Sequence, residues 1–393
     1  MVTATLQPSV TTSGLRRRHV AAVVACHFTA AFAALGLPPY LPQLLPALGD
    51  PHAYWAGVLY VVPTAATALS APLWGRLADR YGRKPLLLRA QLGLAVAFLL
   101  ASQVQTVTAL AAALALQGLL GGTFAATGAY LAAGLSGPRL AKALTAAQAS
   151  ARAALAVAPT AAGLLASQVD VRAMYALAAL GPLVAAGLTL TLPEPRRSTT
   201  SAPPAGGSPM SGPVLTVWQL SALEAAFVLA TVVTFPYLLP VVQVVWPAAG
   251  PALAGALFAL PHVCYLLAAP FVLPRLAPVG GLSAGFVLVA LGAAAHPAAQ
   301  AWASPALLVT GRLLLGAGLT CGLVALAKLA AHAAAVNPPG RLFGTVEAWS
   351  KAGAVAAGLA ASVLAGLSGP AAPALLGAVI AVLSVPLVLR SSR

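Results

Sequence analysis

Charged side chains are scarce in this 393-residue sequence, making up 7% of it, and only six residues are acidic. A water-soluble globule of this size needs far more polar side chains to cover its surface. Hydrophobic residues instead account for 60% of the chain, and the mean hydropathy is +0.92. The scarcity of charge therefore excludes a soluble globular fold and predicts a protein whose solvent is the lipid bilayer.

The residues that enzymes and metal sites require are also scarce. The three cysteines, Cys26, Cys264 and Cys321, lie singly in apolar runs, so neither a disulfide framework nor a metal site is predicted. The acidic residues are scattered and no Walker loop is present, which argues against an enzyme, a bound cofactor and ATP as the energy source. A net charge of +15 would suggest nucleic acid in a soluble protein, but the basic residues fall in separate loops, so that partner is not expected.

Long apolar runs recur along the whole chain. A helix needs about 20 apolar residues to cross a hydrocarbon core of about 30 Å, whereas a membrane β-barrel shows short alternating segments. The runs therefore predict an all-α integral membrane protein with twelve transmembrane helices. The predicted spans lie near residues 19–41, 54–76, 85–104, 107–135, 141–167, 170–192, 215–242, 250–273, 280–297, 303–333, 340–367 and 369–389.

The spans divide into two groups of six, residues 19–192 and residues 215–389. Residues 193–214, which are rich in Pro, Gly, Ser and Thr, are predicted to form a cytoplasmic linker, and residues 1–18 and 390–393 to form cytoplasmic tails. Placing the amino terminus in the cytoplasm puts most Lys and Arg residues on the cytoplasmic side, as the positive-inside rule requires.

The two halves resemble each other in sequence. The segment GVLYVVP, which ends at Pro63, aligns with GALFALP, which ends at Pro261, at an offset of 198 residues. Tyr40 likewise aligns with Tyr237 after a one-residue slip. This internal duplication predicts two pseudo-symmetric six-helix bundles related by an axis along the membrane normal.

A cluster of charges and glycines, GRLADRYGRK, occupies residues 75–84 between the second and third apolar runs. Asp79 can accept charge-assisted hydrogen bonds and cap a neighbouring helix, while the basic residues stay at the anionic cytoplasmic surface. A purely topogenic cluster would explain the arginines but neither the acid nor the glycine spacing. The pattern resembles the loop between helices 2 and 3 of the major facilitator superfamily of secondary transporters. That resemblance implies a conformational latch that stabilises the outward-facing state, formed here by Gly75, Asp79, Arg80, Gly82 and Arg83.

Two further segments bear on this resemblance. Ala158, Pro159, Ala162 and Gly163 in the fifth span resemble a Gly-Pro-x-x-Gly-Gly stretch of exporters in the superfamily, with Ala in place of two glycines; ordinary tight helix packing is the alternative. Many proton-coupled relatives carry an arginine four residues before a glycine in the fourth span. Leu114 occupies that place here, and the tenth span instead holds Arg312 before Gly316, either as a retained charge or by accident.

Ionisable groups inside spans cost about 2.5–3.5 kcal/mol on insertion scales and are functional candidates by default. His27 in the first span and Glu224 in the seventh fall at similar depth when the two halves are aligned, and both are proton-coupling candidates, as is Glu347. For His27 and Glu224, structural packing is the alternative.

Two cations extend the set of candidates. Glu347 and Lys351 are four residues apart and can form an ion pair, which either neutralises both charges or is broken by substrate or proton binding. Arg152 in the fifth span can bind an anionic group or pair with a carboxylate.

Three further polar or aromatic residues, Tyr40, Tyr237 and Gln148, can line a cavity for a bulky amphiphilic ligand. Interfacial anchoring or packing is the alternative for each of them.

The chain resembles twelve-span drug and proton antiporters over nearly its whole length. This resemblance implies a monomer in the bacterial inner membrane, with both termini cytoplasmic, that exports a small organic molecule in exchange for protons. Within that group the chain resembles siderophore exporters, although no motif specifies such a ligand. Proton-coupled import of a metabolite is the alternative, because the fold does not fix direction. A non-transporting receptor or assembly partner is disfavoured, because no sizeable soluble domain is predicted.

Overall fold

The computed structural model describes residues 15–38, 41–51, 55–166, 168–195 and 215–390, which form helices joined by short turns and contain no β-strand. The predicted tails beyond these limits and most of the predicted linker lie outside the described residues.

Within the described residues, the first half contains eight α-helices and a short 3-10 helix at Leu45–Leu48. The helices are α1 (Arg17–Gly36), α2 (Leu41–Leu44), α3 (Ala56–Tyr81), α4 (Arg83–Ser102), α5 (Val107–Leu120), α6 (Thr123–Gly134), α7 (Gly137–Ala166) and α8 (Val171–Leu190). The second half contains α9 (Val217–Val232), α10 (Leu238–Val245), α11 (Pro251–Val272), α12 (Pro278–Ala301), α13 (Pro305–Ala333), α14 (Pro339–Ser368) and α15 (Ala372–Arg390).

These helices fall on the predicted spans. In the described ranges ten helical segments are long and apolar enough to cross a membrane, the pair α5 and α6 counting as one. The fifth predicted span is α7, a 30-residue helix that carries Arg139, Lys142 and Arg152. The seventh begins with α9, which is 16 residues long, and continues after a turn as α10.

The outer surface of the bundle is apolar. Leu69, Leu367 and Phe271 are 81%, 77% and 69% exposed, and many other Leu and Val side chains point outward with them. A protein in water rarely exposes apolar surface so extensively, because that surface lowers its free energy when it is removed from water. The exposed belt therefore marks a multi-pass membrane protein.

The connection between the second and third spans is shorter than the sequence predicts. Helix α3 continues through the charged cluster to Tyr81, and α4 begins at Arg83, so Gly82 alone separates the two helices. Its φ of 110° lies in a region that side-chain-bearing residues rarely adopt. The predicted loop is thus mostly helix, because a helix satisfies its own backbone hydrogen bonds whether its side chains are charged or apolar.

The fourth span is broken where a single span was predicted. Helix α5 ends at Leu120 and α6 begins at Thr123, with Gly122 in the left-handed conformation at φ 71°. A break inside a bilayer exposes amide N–H groups and carbonyls that water cannot reach, so side chains must satisfy them.

In both halves, the second membrane span packs against the fourth in the same way. In the first half, Gly118 of α5 lies against the Pro63 carbonyl of α3, so that a Cβ atom on the glycine would clash with that oxygen. In the second half, Gly316 of α13 lies against Pro261 and Cys264 of α11. The offset of 198 residues relates both glycine–proline pairs, as the predicted duplication requires.

The halves contact each other mainly through α3 with α14, α6 with α14, and α7 with α11 and α13. We call the end of the bundle that holds residues 75–84 the loop side. The contacts of α14 with α3 and α6, and those of α7 with α11, lie toward this end.

Candidate functional site

Asp79 joins the two halves on the loop side. Its Oδ1 accepts a hydrogen bond from the Gly340 amide at 3.0 Å, and its Oδ2 accepts one from the Arg341 amide at 2.7 Å. These are the second and third residues of α14, whose own N-cap residue, Pro338, provides no side-chain acceptor. Asp79 therefore caps α14 from the other half of the molecule, where the helix dipole also favours a negative charge.

Asp79 is held in place by its neighbours. Nη2 of Arg83 donates to Oδ1 of Asp79 at 3.1 Å. Among the residues that the structure describes, this is the one ion pair with charged atoms within 4.0 Å of each other. One turn earlier in α3, a Cβ atom on Gly75 would clash with the Gly340 carbonyl. Helices α3 and α14 thus meet backbone to backbone, which brings the carboxylate within reach of the amides. Arg80 is exposed and its guanidinium lies over the ring of Tyr81.

A second carboxylate caps α4. Oε1 of Glu194 accepts from the amides of Arg83 at 2.9 Å and Lys84 at 3.4 Å, and Nζ of Lys84 donates to the Leu190 carbonyl at 2.8 Å. Gly82 lies directly beneath Glu194, and a Cβ atom at this position would come within 3.0 Å of Oε1. These contacts tie the Gly82 turn to the end of α8 within the first half.

Glu347 of α14 caps the broken fourth span. Its Oε2 accepts from the Ala125 amide at 2.7 Å, the third residue of α6. Glu347 is 3% exposed, so this hydrogen bond forms away from water and joins the two halves. The predicted ion pair between Glu347 and Lys351 does not form. Their charged atoms are more than 4.0 Å apart, because the carboxylate turns toward the N-terminal amides of α6 instead.

The other side of the break is capped by an arginine and a tryptophan. The Arg89 guanidinium donates to the Leu120 carbonyl and stacks on the Trp74 ring at 3.6 Å from its centroid. Nε1 of Trp74 donates to the Leu119 carbonyl at 2.6 Å. A cation at the C-terminus of α5 and an anion at the N-terminus of α6 both interact favourably with the local helix dipoles. The break is thus stabilised from α3, α4 and α14 together.

Charged groups of alternating sign continue from this break through the middle of the bundle. Glu347 interacts electrostatically with Arg89 and Lys351, and Glu224 with Lys351 and Arg152. We call these five residues the central charge chain. The two carboxylates belong to the second half, and an arginine of the first half stands at each end.

His27 lies beside this chain. It is 4% exposed, and neither ring nitrogen has a hydrogen-bond partner. Its ring lies 5.8 Å from that of Phe124 in α6, and it interacts electrostatically with Lys351. The structure thus brings three predicted candidates, His27, Glu224 and Glu347, around one lysine.

Comparison with known proteins identifies the family. The family model described as Major Facilitator Superfamily matches residues 23–278. The chain belongs to the major facilitator superfamily. It is therefore a membrane transporter of small molecules rather than an enzyme.

Curated relatives match part of the chain. Multidrug resistance protein MdtG of Citrobacter koseri is 32% identical over 189 residues, which cover 47% of this chain and 46% of that protein. The protein of the same name from Serratia proteamaculans is 31% identical over 168 residues, 42% of this chain and 41% of that protein. The chain thus matches less than half of the length of these relatives.

Solved structures match the chain almost completely. The human organic anion transporter MFSD10 (TETRAN) superposes with a TM-score of 0.74 at 18% identity, covering 95% of this chain and 99% of that one. A bacterial homologue of the iron transporter ferroportin in an outward-facing state superposes with a TM-score of 0.72 at 18% identity, covering 96% and 100%. At such identity the likeness shows the superfamily fold alone.

Arg312 of α13 binds the backbone of α11. It is fully buried, and its Nε and Nη2 donate to the carbonyls of Leu257 and Phe258 at 2.8 and 2.9 Å. Pro261 has no N–H, so the Leu257 carbonyl lacks its helical donor and accepts from the guanidinium instead. Arg312 is separate from the central charge chain.

The remaining predicted residues are less closely connected to the site. Gln148 is half-buried one turn before Arg152 on α7. Tyr237 packs against Val233, Ala357 and Ala361 rather than lining the site, because it lies in the turn between α9 and α10. Tyr40 lies outside the described residues.

The exporter-like stretch is described in part. Ala158 is buried and contacts Gly36 of α1, where a Cβ atom would lie 3.2 Å from the Ala158 carbonyl oxygen. Ala162 is also buried, against α1 and α8 neighbours in the core of the first half. The side-chain surroundings of Pro159 and Gly163 lie outside the described part of the structure. The two alanines thus provide close packing between α1 and α7.

Several residues described above were missed from the sequence, among them Arg89, Glu194 and Trp74. Arg89 lies in the third apolar run and satisfies the same rule on intramembrane charge that singled out Arg152. Glu194 was assigned to the linker, and no local signal shows that it caps α4. Tyr265, whose hydroxyl donates to the Thr145 carbonyl at 3.1 Å across the two halves, has no distinguishing sequence context.

Proposed function

We propose that this transporter exports small drug-like organic molecules across a bacterial inner membrane in exchange for protons, by alternating access. The names of the curated relatives support a drug-like substrate class. The observation that carries the proposal is the central charge chain, in which Glu224 and Glu347 of the second half each interact with an arginine of the first half. Proton binding at either carboxylate therefore weakens attraction between the halves.

The basic residues at the loop side support a cytoplasmic location for it. The contacts of Asp79, Gly75 and Glu347 with the other half close this side. With that orientation, the described conformation is the outward-facing one.

In the proposed cycle, protons from outside bind Glu224 and Glu347. A protonated Glu224 no longer attracts Arg152, and a protonated Glu347 no longer places a charge at the N-terminus of α6. Both changes favour separation of the halves on the cytoplasmic side. Substrate binding from the cytoplasm then displaces the protons, and the ionised carboxylates restore the closed cytoplasmic contact.

The test is efflux of a fluorescent cationic drug from cells that produce the protein, measured before and after a protonophore collapses the proton gradient. We expect the wild type to lower accumulation only while the gradient lasts. Glu224→Gln is expected to raise accumulation to that of cells without the protein, because the amide cannot bind and release a proton. Glu347→Gln keeps an acceptor for the Ala125 amide and is expected to insert normally while losing coupling to the gradient.

Asp170→Asn is the matched control, since Asp170 is exposed and its side chain makes no capping hydrogen bond at the start of α8. It should export like the wild type. Full gradient-driven efflux by Glu224→Gln would remove this residue from the mechanism. Higher accumulation in wild-type cells would reverse the direction and indicate an importer. A hydroxamate siderophore in the same panel tests the other substrate class.

A further inference from the structure

A second group of buried ionisable residues lies within the second half, and one of them, His262, interacts electrostatically with Arg152 at the end of the central charge chain. Arg312 and His262 line a small cavity between α9, α11 and α13 together with Thr231, Phe235, Leu315 and Leu319. Both ionisable residues are 0% exposed. The cavity therefore places a guanidinium and an imidazole beside each other in the apolar interior.

These side chains hold hydrogen-bonding capacity that the protein does not use. Two nitrogens of Arg312 donate to backbone carbonyls, but its Nη1 is buried without a partner. Neither ring nitrogen of His262 has a partner, and its ring packs edge to face near Phe235 and Phe258. His296, whose Nδ1 lies 2.8 Å from the Gly292 carbonyl, has an unpartnered Nε2 and interacts electrostatically with Arg312.

No carboxylate balances this positive charge. All six acidic residues of the chain lie within the described ranges, and none is within 4.0 Å of Arg312. The electrostatic neighbours of its guanidinium are instead Cys264, His262 and His296. A buried cation without a counter-charge is strongly unfavourable, so a bound anion would relieve both the charge and the unpaired N–H group.

The first half shows that the fold does not require these groups. At the offset of 198 residues, Arg312, His262 and His296 correspond to Leu114, Thr64 and Phe98, none of which is ionisable. The glycine–proline contact between the second and fourth helices is nevertheless present in both halves. The charge in the second half is therefore an addition to a packing arrangement that forms without it.

We propose that Arg312 and His262, with His296 near the guanidinium, form a binding site for one monoanionic group, either a halide ion or the carboxylate of an organic molecule. A single guanidinium with one free nitrogen suits a monoanion, whereas a phosphate dianion would need more cations. This site contains neither of the carboxylates proposed for proton coupling, and binding to it can be measured without transport.

The experiment measures thermal unfolding of the purified protein in detergent at constant ionic strength, while sulfate, a dianion that does not suit the site, is replaced by chloride or, separately, by benzoate. We expect one of these anions to raise the unfolding temperature saturably, because it binds the folded state alone. Saturation by chloride assigns a halide site, and saturation by benzoate a carboxylate site. The absence of a saturable shift with both anions would overturn the proposal.

Each site variant replaces a residue of the site with the residue at the equivalent position of the first half. Arg312→Leu should raise the dissociation constant at least about tenfold, the usual effect of losing a hydrogen bond to a charged group. His262→Thr should also weaken binding, and it tests the site if Arg312→Leu does not fold. Arg172→Gln, which removes a cation near Gln105 at the opposite end of the first half from the loop side, should bind like the wild type. An unchanged saturable shift in both site variants would likewise overturn the proposal.

Discussion

Two pseudo-symmetric pairs of helices join the halves, α3 with α14 and α11 with α7, and they are built differently. In the first pair, Gly75 and Gly340 bring the backbones into contact and Asp79 caps the partner helix. In the second pair, the offset of 198 residues puts Leu273 and Lys142 in place of the two glycines. There, the described hydrogen bond across the halves runs from Tyr265 to the Thr145 carbonyl.

The difference follows from the size of the residues at the crossing. Where both helices present glycine, the short side chain of Asp79 reaches the amides of α14. Where side chains hold the helices apart, only a long group such as the Tyr265 phenol can cross between them. Control of the loop-side contact is therefore concentrated at the α3–α14 pair, and the following predictions test this asymmetry.

Gly75→Leu should have the largest effect. It introduces the residue of the other pair at a place where even a Cβ atom would clash with the Gly340 carbonyl. Overpacking of this kind costs about 3 kcal/mol, which corresponds to a fall of about a hundredfold in the population closed on the loop side. Double electron–electron resonance between spin labels at Arg76→Cys and Arg341→Cys, in a background without native cysteines, should show a longer distance.

The reciprocal change, Leu273→Gly, is the control for that variant. Leu273 is half-buried at the end of α11, and its loss opens space rather than creating a clash. The distance between the α3 and α14 labels should stay as in the wild type. An unchanged distance in Gly75→Leu would show that α3 and α14 do not hold the loop side closed.

Asp79→Ala should have an intermediate effect, and alanine is also the residue at the equivalent position of the second half, Ala277. It removes both capping bonds to α14 and the ion pair with Arg83. Loss of a cap and of its charge near the helix dipole costs about 2 kcal/mol, or about thirtyfold in the closed population. Asp79→Asn keeps an acceptor, so its distance between the labels should lie between those of the wild type and Asp79→Ala. A wild-type distance distribution in Asp79→Ala would contradict the latch.

Tyr265→Phe should have the smallest effect, because it deletes one hydrogen bond at the α7–α11 pair and keeps the ring. Such a bond contributes about 1 kcal/mol, which corresponds to about a fivefold change in the closed population. Labels at the two exposed positions Lys142→Cys and Arg275→Cys report on this pair. A shift larger than that of Asp79→Ala would place control at α7 and α11 instead, and the asymmetry would be wrong.

The latch residues illustrate what local sequence can predict. Spacing alone marked Gly75, Asp79 and Gly82 as more than a topogenic cluster, because glycines and a single acid among arginines have specific backbone uses. The sequence did not show that the cluster is helical to Tyr81, since charged residues are compatible with both a helix and a loop.

The break in the fourth span shows where sequence reasoning failed. Gly121 and Gly122 are two of many glycines in apolar runs, and nothing nearby distinguishes a helix break from close helix packing. The spacing of Glu347 and Lys351 suggested an ion pair, which is the most local explanation for two charges one turn apart. The carboxylate instead binds an amide 222 residues away, where an orphan donor inside the bilayer has no other partner.

The sequence by itself determined the helical membrane fold, the duplication and the charged cluster, because apolar length, repeated glycine–proline spacing and local charge are properties of neighbouring residues. Only the tertiary structure decided that Glu347 caps α6, that Arg89 and Arg152 stand at the ends of the central charge chain, and that Arg312 lies apart from it with a free nitrogen. A buried charge is stabilised by whichever polar group the fold brings to it, and that group is usually distant in sequence.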